Sequence, residues 1–472
     1  MAQFDWVFWL IAFLAVSVIF TYLVKRRLGT NAKTWFIASM IRTRRFLPLL
    51  DRLAKAGKII DFIGDAGIIM GFGLIGAHFV FSKRTKDKRL EALWLAITAL
   101  VLAGLFFLSF GGMFQNSMLK GQQPFFGIAF VIFGFAGFAI VSLLSQGMDI
   151  ISKLLAGKRA CPGVAPLIPG VSLPNVPITA PLHAWISLFL ILIIHEGMHG
   201  VLARRAKVAI KSAGILLFGF LPIGAFVEPN ESQLKRVSEE KSMRIYAAGA
   251  GANYITYLVV SFCVLLLFMG IGAVYNPWSE SVKAKTVLGV EVLKVDQNTS
   301  FCGDTYSTSA YGVLEKGMLV KKANGKEIHT MANLQDSMPK SKAKSVSLTV
   351  EDKNGNVFEK TLMPNKLGLL GVTFQEKLNP KNKEPGGFAL ATEIIAFLQS
   401  FLIWFVLLNL LVAIVNFLPM EPFDGGKMAK IVFVPWLSHW KVGKKAKEKA
   451  IGKFFLIVIL VILAINALPL FI

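Results

Sequence analysis

Apolar runs long enough for the roughly 20 residues that a helix needs to cross a bilayer recur along this chain. They lie at residues 4–24, 59–82, 90–110, 124–148, 181–203, 245–274, 388–418 and 451–472. Hydrophobic residues make up 54% of the 472 residues, which is more than a globular interior needs. The pattern predicts an α-helical polytopic membrane protein with about eight spans.

The basic residues predict how the chain is oriented in the membrane. The net charge is +23, but Lys and Arg cluster in short loops beside apolar runs, as in cytoplasmic loops, so we expect no nucleic-acid partner. Basic residues follow the first run rather than precede it, which indicates a retained anchor that starts outside. Alternation then puts 27 Lys and Arg inside, in loops 25–58, 111–123, 201–244 and 427–453, and 8 outside, in loops 83–89 and 149–179. Loop 83–89 holds 5 of the 8 outside residues, which opposes the rule that basic residues cluster in cytoplasmic loops.

One apolar run contains His195, Glu196 and His199 in the order HEGMH. Residues four apart share a helix face, so both imidazoles can bind one zinc ion while Glu196 accepts a proton from water beside it. A chance occurrence on an amphipathic helix is the alternative. The preceding residues are apolar, however, and an ionisable group in a membrane costs at least about 2.5–3.5 kcal/mol on insertion scales. A metal ion would satisfy all three groups, so the pattern predicts a zinc site.

A catalytic zinc ion takes three protein ligands and keeps one open position, so another ligand must come from elsewhere. Two prolines end the apolar run at 388–418 just before Asp424 and two glycines. A carboxylate buried after such a helix requires a cation, which favours Asp424, although a DGG triplet alone is more often a turn. Glu228, 29 residues beyond His199, is the alternative ligand.

Two segments beside the motif are apolar or stiff without being helical. Residues 214–228, GILLFGFLPIGAFVE, are too short to span and are broken by Gly and Pro, so we expect them to fold back against the metal site. An exposed strand there could pair with a substrate backbone, and an ordinary buried loop is the alternative. Six prolines in 161–181 predict an extended outer loop.

The run at 245–274 carries Asn253 inside its apolar sequence, after small residues that allow close helix packing. An Asn in a membrane can hydrogen-bond a neighbouring helix. It can also polarise a substrate carbonyl or hold the substrate. Both roles are open for Asn253.

Residues 276–375 differ in composition, because charges return and short alternating runs replace the spans. Segments 288–295, 318–322 and 346–350 predict strands, and the pairs Asn324-Gly325 and Asn354-Gly355 predict hairpin turns. About 100 residues can bury a core of their own. We expect a small β-rich domain on the outer side.

The first four runs contain the polar residues Asp61, Asp65 and His78. A second polar site is one interpretation, but we expect the aspartates at the inner interface and His78 at the outer one. Residues 41–58 alternate basic and apolar positions, which fits either an amphipathic helix on an anionic surface or a solvated linker.

The chain has three cysteines, Cys161, Cys263 and Cys302. They are too few and too scattered for a disulfide framework or a CxxC metal site. The cysteines therefore leave the redox compartment open.

Three motifs together resemble the site-2 protease family of intramembrane zinc metalloproteases. They are HEGMH at 195–199, AGAGAN at 248–253, where the family has Ala-Gly-Pro-x-x-Asn, and NFLPMEPFDG at 416–425, which matches Asn-x-x-Pro-x-x-x-x-Asp-Gly. LEKGMLVKKANGKEI at 314–328 is similar to part of the PDZ domain that many members carry. The resemblance covers roughly residues 180–426 and leaves out the first four runs.

The resemblance implies that His195, His199 and Asp424 hold Zn²⁺, that Glu196 is the general base and that Asn253 assists the substrate. Such enzymes cleave a transmembrane helix of another protein. We expect a single-span membrane protein as the substrate and a site that faces the cytoplasmic side of a cell membrane. We expect an N-terminal membrane domain of about four spans at residues 1–160. A metalloprotease core follows in two parts, at residues 161–275 and 376–472, with a PDZ-like extracytoplasmic domain between them at residues 276–375.

Two other functions remain open. One is a membrane zinc peptidase with Glu228 as the third ligand, as in peptidases that trim prenylated tails. The other is a non-enzymatic membrane scaffold whose outer domain binds peptides. Metal-ion transport is disfavoured, because no run carries a chain of polar residues.

Overall fold

The computed structural model describes residues 2–115, 123–173, 175–176, 178–302, 304–339, 344–379, 381–382 and 385–471. Its helices are α1 (Ala2–Leu28), α2 (Leu47–Ala54), α3 (Lys58–Phe81), α4 (Lys88–Gln115), α5 (Gln123–Leu155), α6 (Ala184–Arg205), α7 (Glu231–Leu234), α8 (Glu239–Thr286), α9 (Met331–Ser337), α10 (Phe388–Asn416), α11 (Asp424–Phe433) and α12 (Lys444–Ala467). Its strands are β1 (Ala32–Trp35), β2 (Ala38–Thr43), β3 (Ile210–Phe218), β4 (Leu221–Pro229), β5 (Val287–Val295), β6 (Asn298–Phe301), β7 (Asp304–Ser307), β8 (Leu319–Ala323), β9 (Lys326–Glu327), β10 (Val346–Glu351), β11 (Val357–Leu362) and β12 (Val372–Leu378).

Long apolar helices dominate the chain. Within its described part, seven are long and apolar enough to cross a membrane, namely α3, α4, α5, α6, α8, α10 and α12. The first predicted run is helical as well, in α1. The protein is therefore a multi-pass membrane protein of mostly helical structure with a separate β-rich part.

Helix α3 turns back on itself at Gly73, whose φ of +59° is a conformation that favours glycine. In a continuous helix, residues eight apart are separated by about 12 Å along the axis. Here a Cβ on Gly76 would lie 3.0 Å from the carbonyl carbon of Ile68. α3 is thus a helical hairpin with arms 58–72 and 74–81, and the structure differs from the straight span expected at 59–82.

Helix α5 reverses in the same way at Gly134, which has a φ of +63°. The rings of Phe126 and Phe138, twelve residues apart, have centroids 6.2 Å from each other, whereas a straight helix would separate them by about 18 Å. The return arm then follows α12, where the Asn466 amide donates to the Leu143 carbonyl at 2.9 Å. α5 is a second helical hairpin.

The tips of the two hairpins touch. A Cβ on Gly73 would lie 2.6 Å from the amide nitrogen of Gly134, and a Cβ on Gly134 would lie 2.6 Å from that of Gly73. Only glycine permits this backbone approach. Around the tips lies a buried aromatic core of Phe72, Phe106, Phe110, Phe126, Phe130, Phe135 and Phe138.

Because α3 reverses at Gly73, the loop that follows α3 lies beside the first arm of the same helix. Arg84 in that loop donates to the buried Asp65 carboxylate, which also accepts from Arg244 of α8 at 2.7 Å. His78 lies 2.7 Å from Glu91 in the first turn of α4. The expectation that His78 lies at the interface opposite the aspartates is therefore wrong, because α3 reverses between them.

A four-stranded antiparallel sheet with the order β1-β2-β3-β4 adjoins α6. The apolar segment 214–228 forms most of its β3–β4 hairpin, with Gly219 at the turn in a positive φ of +60°. β4 is one of the two edge strands and packs on α6. Neither interpretation of residues 41–58 fits the whole segment, because residues 41–43 belong to strand β2, which pairs with β3, and helix α2 covers only residues 47–54.

A second sheet, with the order β11-β10-β8-β5-β12 and β9 paired to β8, builds the β-rich part. Strands β5, β8 and β10 match the three predicted strands to within one residue at each end, and Gly325 and Gly355 take positive φ values of +81° and +84° in the predicted turns. Buried apolar side chains form its core, among them Val290, Val292, Leu348, Val350 and Leu362. The small hairpin β6–β7 stands apart from this sheet.

A disulfide joins Cys161, in the loop after α5, to Cys302, which directly follows β6 in the β6–β7 hairpin, with Cα atoms 4.8 Å apart. The partners are separated by 141 residues, so their spacing gave no signal of the bond. The described residues of the proline-rich segment 161–181 contain neither helix nor strand, as predicted. The bond ties this loop to the β-rich part.

Candidate metal centre

Helix α6 places His195 and His199 one turn apart, with their Nε2 atoms separated by 3.2 Å. The helix packs against α8, α10, α2 and β4. His195 is 4% exposed, and His199 is partly buried. The predicted convergence of the two imidazoles is present.

Asp424, the first residue of α11, completes the cluster. Its Oδ2 lies 2.9 Å from His199 Nε2 and 3.2 Å from His195 Nε2. In the part of the chain that the structure describes, these three residues form the one group of His, Cys, Asp or Glu whose ligand atoms could hold a metal ion, all within 4.8 Å of one another. The sequence-predicted ligand set therefore meets at one point.

The two glycines after Asp424 let α11 begin against the end of α10. A Cβ on Gly425 would lie 2.5 Å from the carbonyl oxygen of Leu418, and one on Gly426 would lie 2.5 Å from the amide nitrogen of Glu421. The first turn of α11 thus packs backbone to backbone on residues 418–421. This contact fixes where the Asp424 carboxylate lies.

Helix α8 orients both imidazole rings from behind. His199 Nδ1 donates to the Ile245 carbonyl at 2.6 Å, since a carbonyl can only accept, and in the neutral imidazole that binds a metal Nε2 then carries the lone pair. His195 Nδ1 lies 3.0 Å from the side-chain amide of the fully buried Asn253. Such partners on the far ring nitrogen are what orient histidine ligands in metal sites.

The donor set fits zinc. Asn253 Oδ1 is buried and, among the described residues, has no hydrogen-bond partner. The oxygen and nitrogen of a side-chain amide are assigned from their hydrogen-bond partners. If the Asn253 amide is turned over, its Oδ1 accepts from His195 Nδ1–H. The lone pair of the neutral His195 ring then lies on Nε2, where it can bind a metal. Two imidazole nitrogens and a carboxylate oxygen 2.9–3.2 Å apart approach the spacing of about 3.3 Å that tetrahedral ligands at zinc require.

Glu196 lies beside the cluster, half-buried, and its Oε2 accepts from the Val227 amide of β4 at 3.1 Å. Glu228, the alternative ligand, is not in the metal-binding group and accepts from the Ser212 hydroxyl at 2.8 Å. The structure thus places Asp424, rather than Glu228, with the histidines.

Three neighbours of the site were not singled out from the sequence. The Ile245 carbonyl and the Val227 amide are backbone groups, which leave no mark in a side-chain pattern. Gly249 is the third, because a Cβ there would lie 2.6 Å from His195 Nε2. The small residues 247–252 signalled close helix packing but not what α8 packs against.

A family model, described as Peptidase family M50, matches residues 183–466, which is more than half of the chain. The chain belongs to this family, the site-2 protease family. The M50 peptidase is also 26% identical to an uncharacterized protein of Methanocaldococcus jannaschii over 330 residues, which are 68% of this chain and 72% of that protein. By its family, this chain is a membrane metalloprotease. Helices α1 to α5 lie outside the family match.

Proposed function

We propose that this M50 peptidase is a zinc endopeptidase that hydrolyses a peptide bond within or near the transmembrane helix of another membrane protein. The observation that carries the proposal is the convergence of His195, His199 and Asp424, with Glu196 beside them, among helices apolar enough to cross a membrane. We further propose that the substrates are single-span proteins, as in regulated intramembrane proteolysis.

The residues of the site divide the chemistry between them. His195, His199 and Asp424 would hold zinc, which when bound supplies a Lewis acid that polarises a carbonyl and acidifies water. Glu196 accepts the proton of the attacking water and passes it to the leaving amine. The Val227 amide holds the Glu196 carboxylate in place for both transfers.

A helical substrate must unwind before attack, because its carbonyls are bonded within the helix. The edge strand β4 offers a place for the unwound segment. The Val227 amide points away from β3 and donates to Glu196. Because backbone amides alternate in direction along a strand, the Ala225 amide, two residues earlier, points to the same side. A substrate strand paired there would lie alongside the general base, and its new hydrogen bonds would offset part of the cost of unwinding.

The β-rich part between α8 and α10 is proposed to be a PDZ-like domain outside the membrane. Its strands β8 and β9 lie within the 314–328 segment on which the PDZ resemblance rests. In this division residues 1–160 form an N-terminal membrane domain, and residues 161–275 and 376–472 form the peptidase core. The PDZ-like domain would bind a peptide segment of the substrate before cleavage.

The hairpin form of α3 supports a cytoplasmic site in a cell membrane. With α3 and α5 each returning to the side they entered, loops 25–58, 83–89, 201–244 and 427–453 share one side and hold 31 Lys and Arg, against 4 in loops 111–123 and 149–179. Loop 83–89 then no longer opposes the positive-inside rule. HEGMH lies near the basic end of α6, and the Cys161–Cys302 bond suits an oxidising outer side.

The decisive experiment replaces the general base. In the full-length protein, Glu196→Gln should retain zinc and lose cleavage, so single-span membrane proteins should accumulate uncleaved in cells that carry the variant. Glu228→Gln is the matched control, because it removes one carboxylate charge close by without touching the metal group. Equal patterns of membrane-protein fragments in the parental, Glu196→Gln and control cells would contradict the proposal.

A further inference from the structure

The hairpins α3 and α5 lie on the far side of helix α8 from the metal centre, although the family match begins after them. Helix α8 therefore lies between the hairpins and the metal centre. Its residues Ile245, Gly249 and Asn253 face the histidines. Its opposite face meets α3, where a Cβ on Gly67 would lie 2.6 Å from the Ala247 carbonyl oxygen. The metal-orienting helix is therefore held from behind by a hairpin outside the family match.

The second hairpin contacts both elements that shape the site. Phe135, one residue past the turn of α5, is fully buried and stacks on Phe417, with ring centroids 5.9 Å apart and planes 5° from parallel. Its ring also meets Tyr254 edge-on, with centroids 4.9 Å apart. Tyr254 follows Asn253 in α8, and Phe417 begins the segment that leads to Asp424. Phe135 thus packs between the helix that orients His195 and the segment that supplies Asp424.

The first hairpin also contacts Phe417. A Cβ on Gly71 would lie 2.6 Å from the ring of Phe417 and 3.2 Å from the methyl group of Met428 in α11. Phe417 and Met428 are both fully buried. Gly71 and Phe135 therefore both pack on the buried ring of Phe417.

We propose that the paired hairpins form the back wall of the metal site and that Phe135 is a positioning residue for Asp424. The inference rests on the proposed zinc site. Phe135 touches neither metal nor substrate and acts through Phe417, whose position sets the start of α11. The two hairpins of the N-terminal membrane domain then support the peptidase core as well as lying in the membrane.

The test compares two phenylalanines of one hairpin in the full-length protein. Phe135→Ala should weaken zinc binding, measured against a competing chelator, by at least about tenfold, the lower end of what lost orienting contacts cost a metal site. Phe138→Ala is the matched control, because it opens a similar cavity on the same arm, where Phe138 stacks on Phe110 instead. Phe135→Leu should recover most of the affinity. Equal zinc affinity in Phe135→Ala and Phe138→Ala would overturn the proposal.

A second readout does not depend on zinc. In the metal-free protein, Phe135→Ala should speed amide hydrogen exchange in residues 417–428, and Phe138→Ala should not. Gly71→Ala should have the same effect as Phe135→Ala, whereas Gly104→Ala, with no atom near its added Cβ, should not. Absence of zinc from the parental protein would refute the proposed function alone. Unchanged exchange in residues 417–428 of Phe135→Ala and Gly71→Ala would refute the positioning role alone.

Discussion

Asp424 Oδ2 lies 2.9 Å from His199 Nε2, although 225 residues separate the two in sequence. The contact joins the start of α11 to the second half of α6, and α8 packs against both of these helices. Since unfolded chains rarely bring such distant groups together, zinc bound here would stabilise the folded arrangement by mass action.

Removing the Asp424 carboxylate tests the ligand set. Asp424→Ala should reduce bound zinc from about one per chain towards zero, because a structural or catalytic zinc needs at least three protein ligands. Glu228→Ala should leave the zinc content unchanged, since its carboxylate accepts from Ser212 away from the histidines. Elemental analysis of the two purified variants gives the answer, and the reverse result would make Glu228 the ligand.

Gly249 should be intolerant of any side chain. In Gly249→Ala the new Cβ would lie 2.6 Å from His195 Nε2, closer than real contacts allow, so the imidazole must leave its position. We expect loss of zinc and of proteolysis together. Gly270→Ala in the same helix is the control, because nothing lies within 4 Å of its added Cβ, and it should behave as the parental protein in both measurements.

The contact of Asn253 with His195 predicts a role that differs from holding a substrate. Asn253→Ala should weaken zinc binding by about tenfold or more, because His195 loses the partner that orients its ring. Asn253→Asp keeps an acceptor for Nδ1–H and should retain zinc. Chelator competition measures both. Zinc affinity that stays constant in Asn253→Ala while the catalytic rate falls would instead support direct action on the substrate.

The sequence predicted the parts of the site whose signals are local. Two histidines four apart share a helix face, and a proline-broken apolar helix before Asp424 indicated a carboxylate in need of a cation. Alternating runs and Asn-Gly pairs likewise predicted β5, β8 and β10 and the turns after β8 and β10.

The reversals of α3 and α5 could not be predicted in this way. An apolar run has the same composition whether its helix is straight or folded back. Glycine is also common in membrane helices, so the presence of Gly73 and Gly134 did not indicate a reversal. The pairing of β2 with β3 joins residues about 170 positions apart, and nothing local specifies it. In both cases tertiary contacts decide the outcome.

The edge of β4 that faces away from β3 predicts a selective loss of cleavage. Ala225→Pro removes an amide that faces away from β3, a place where an edge strand tolerates proline, so the sheet should fold and zinc should stay bound. Cleavage efficiency should fall by about tenfold, the value of one backbone hydrogen bond of about 1.4 kcal/mol. Undiminished cleavage of a membrane substrate would rule out strand pairing at this edge.

The reversal at Gly73 makes a prediction about sidedness that a straight helix would invert. In a Cys263→Ser background, Lys86→Cys lies in the loop after α3, Ser232→Cys follows β4, and Lys353→Cys lies in the β-rich part. Because Arg84 in that loop pairs with Asp65 near the start of α3, Lys86→Cys should share its labelling pattern with Ser232→Cys. A membrane-impermeant maleimide applied to intact cells should therefore label Lys353→Cys and spare the other two until the membrane is opened. Labelling of Lys86→Cys together with Lys353→Cys would mean that α3 crosses the bilayer.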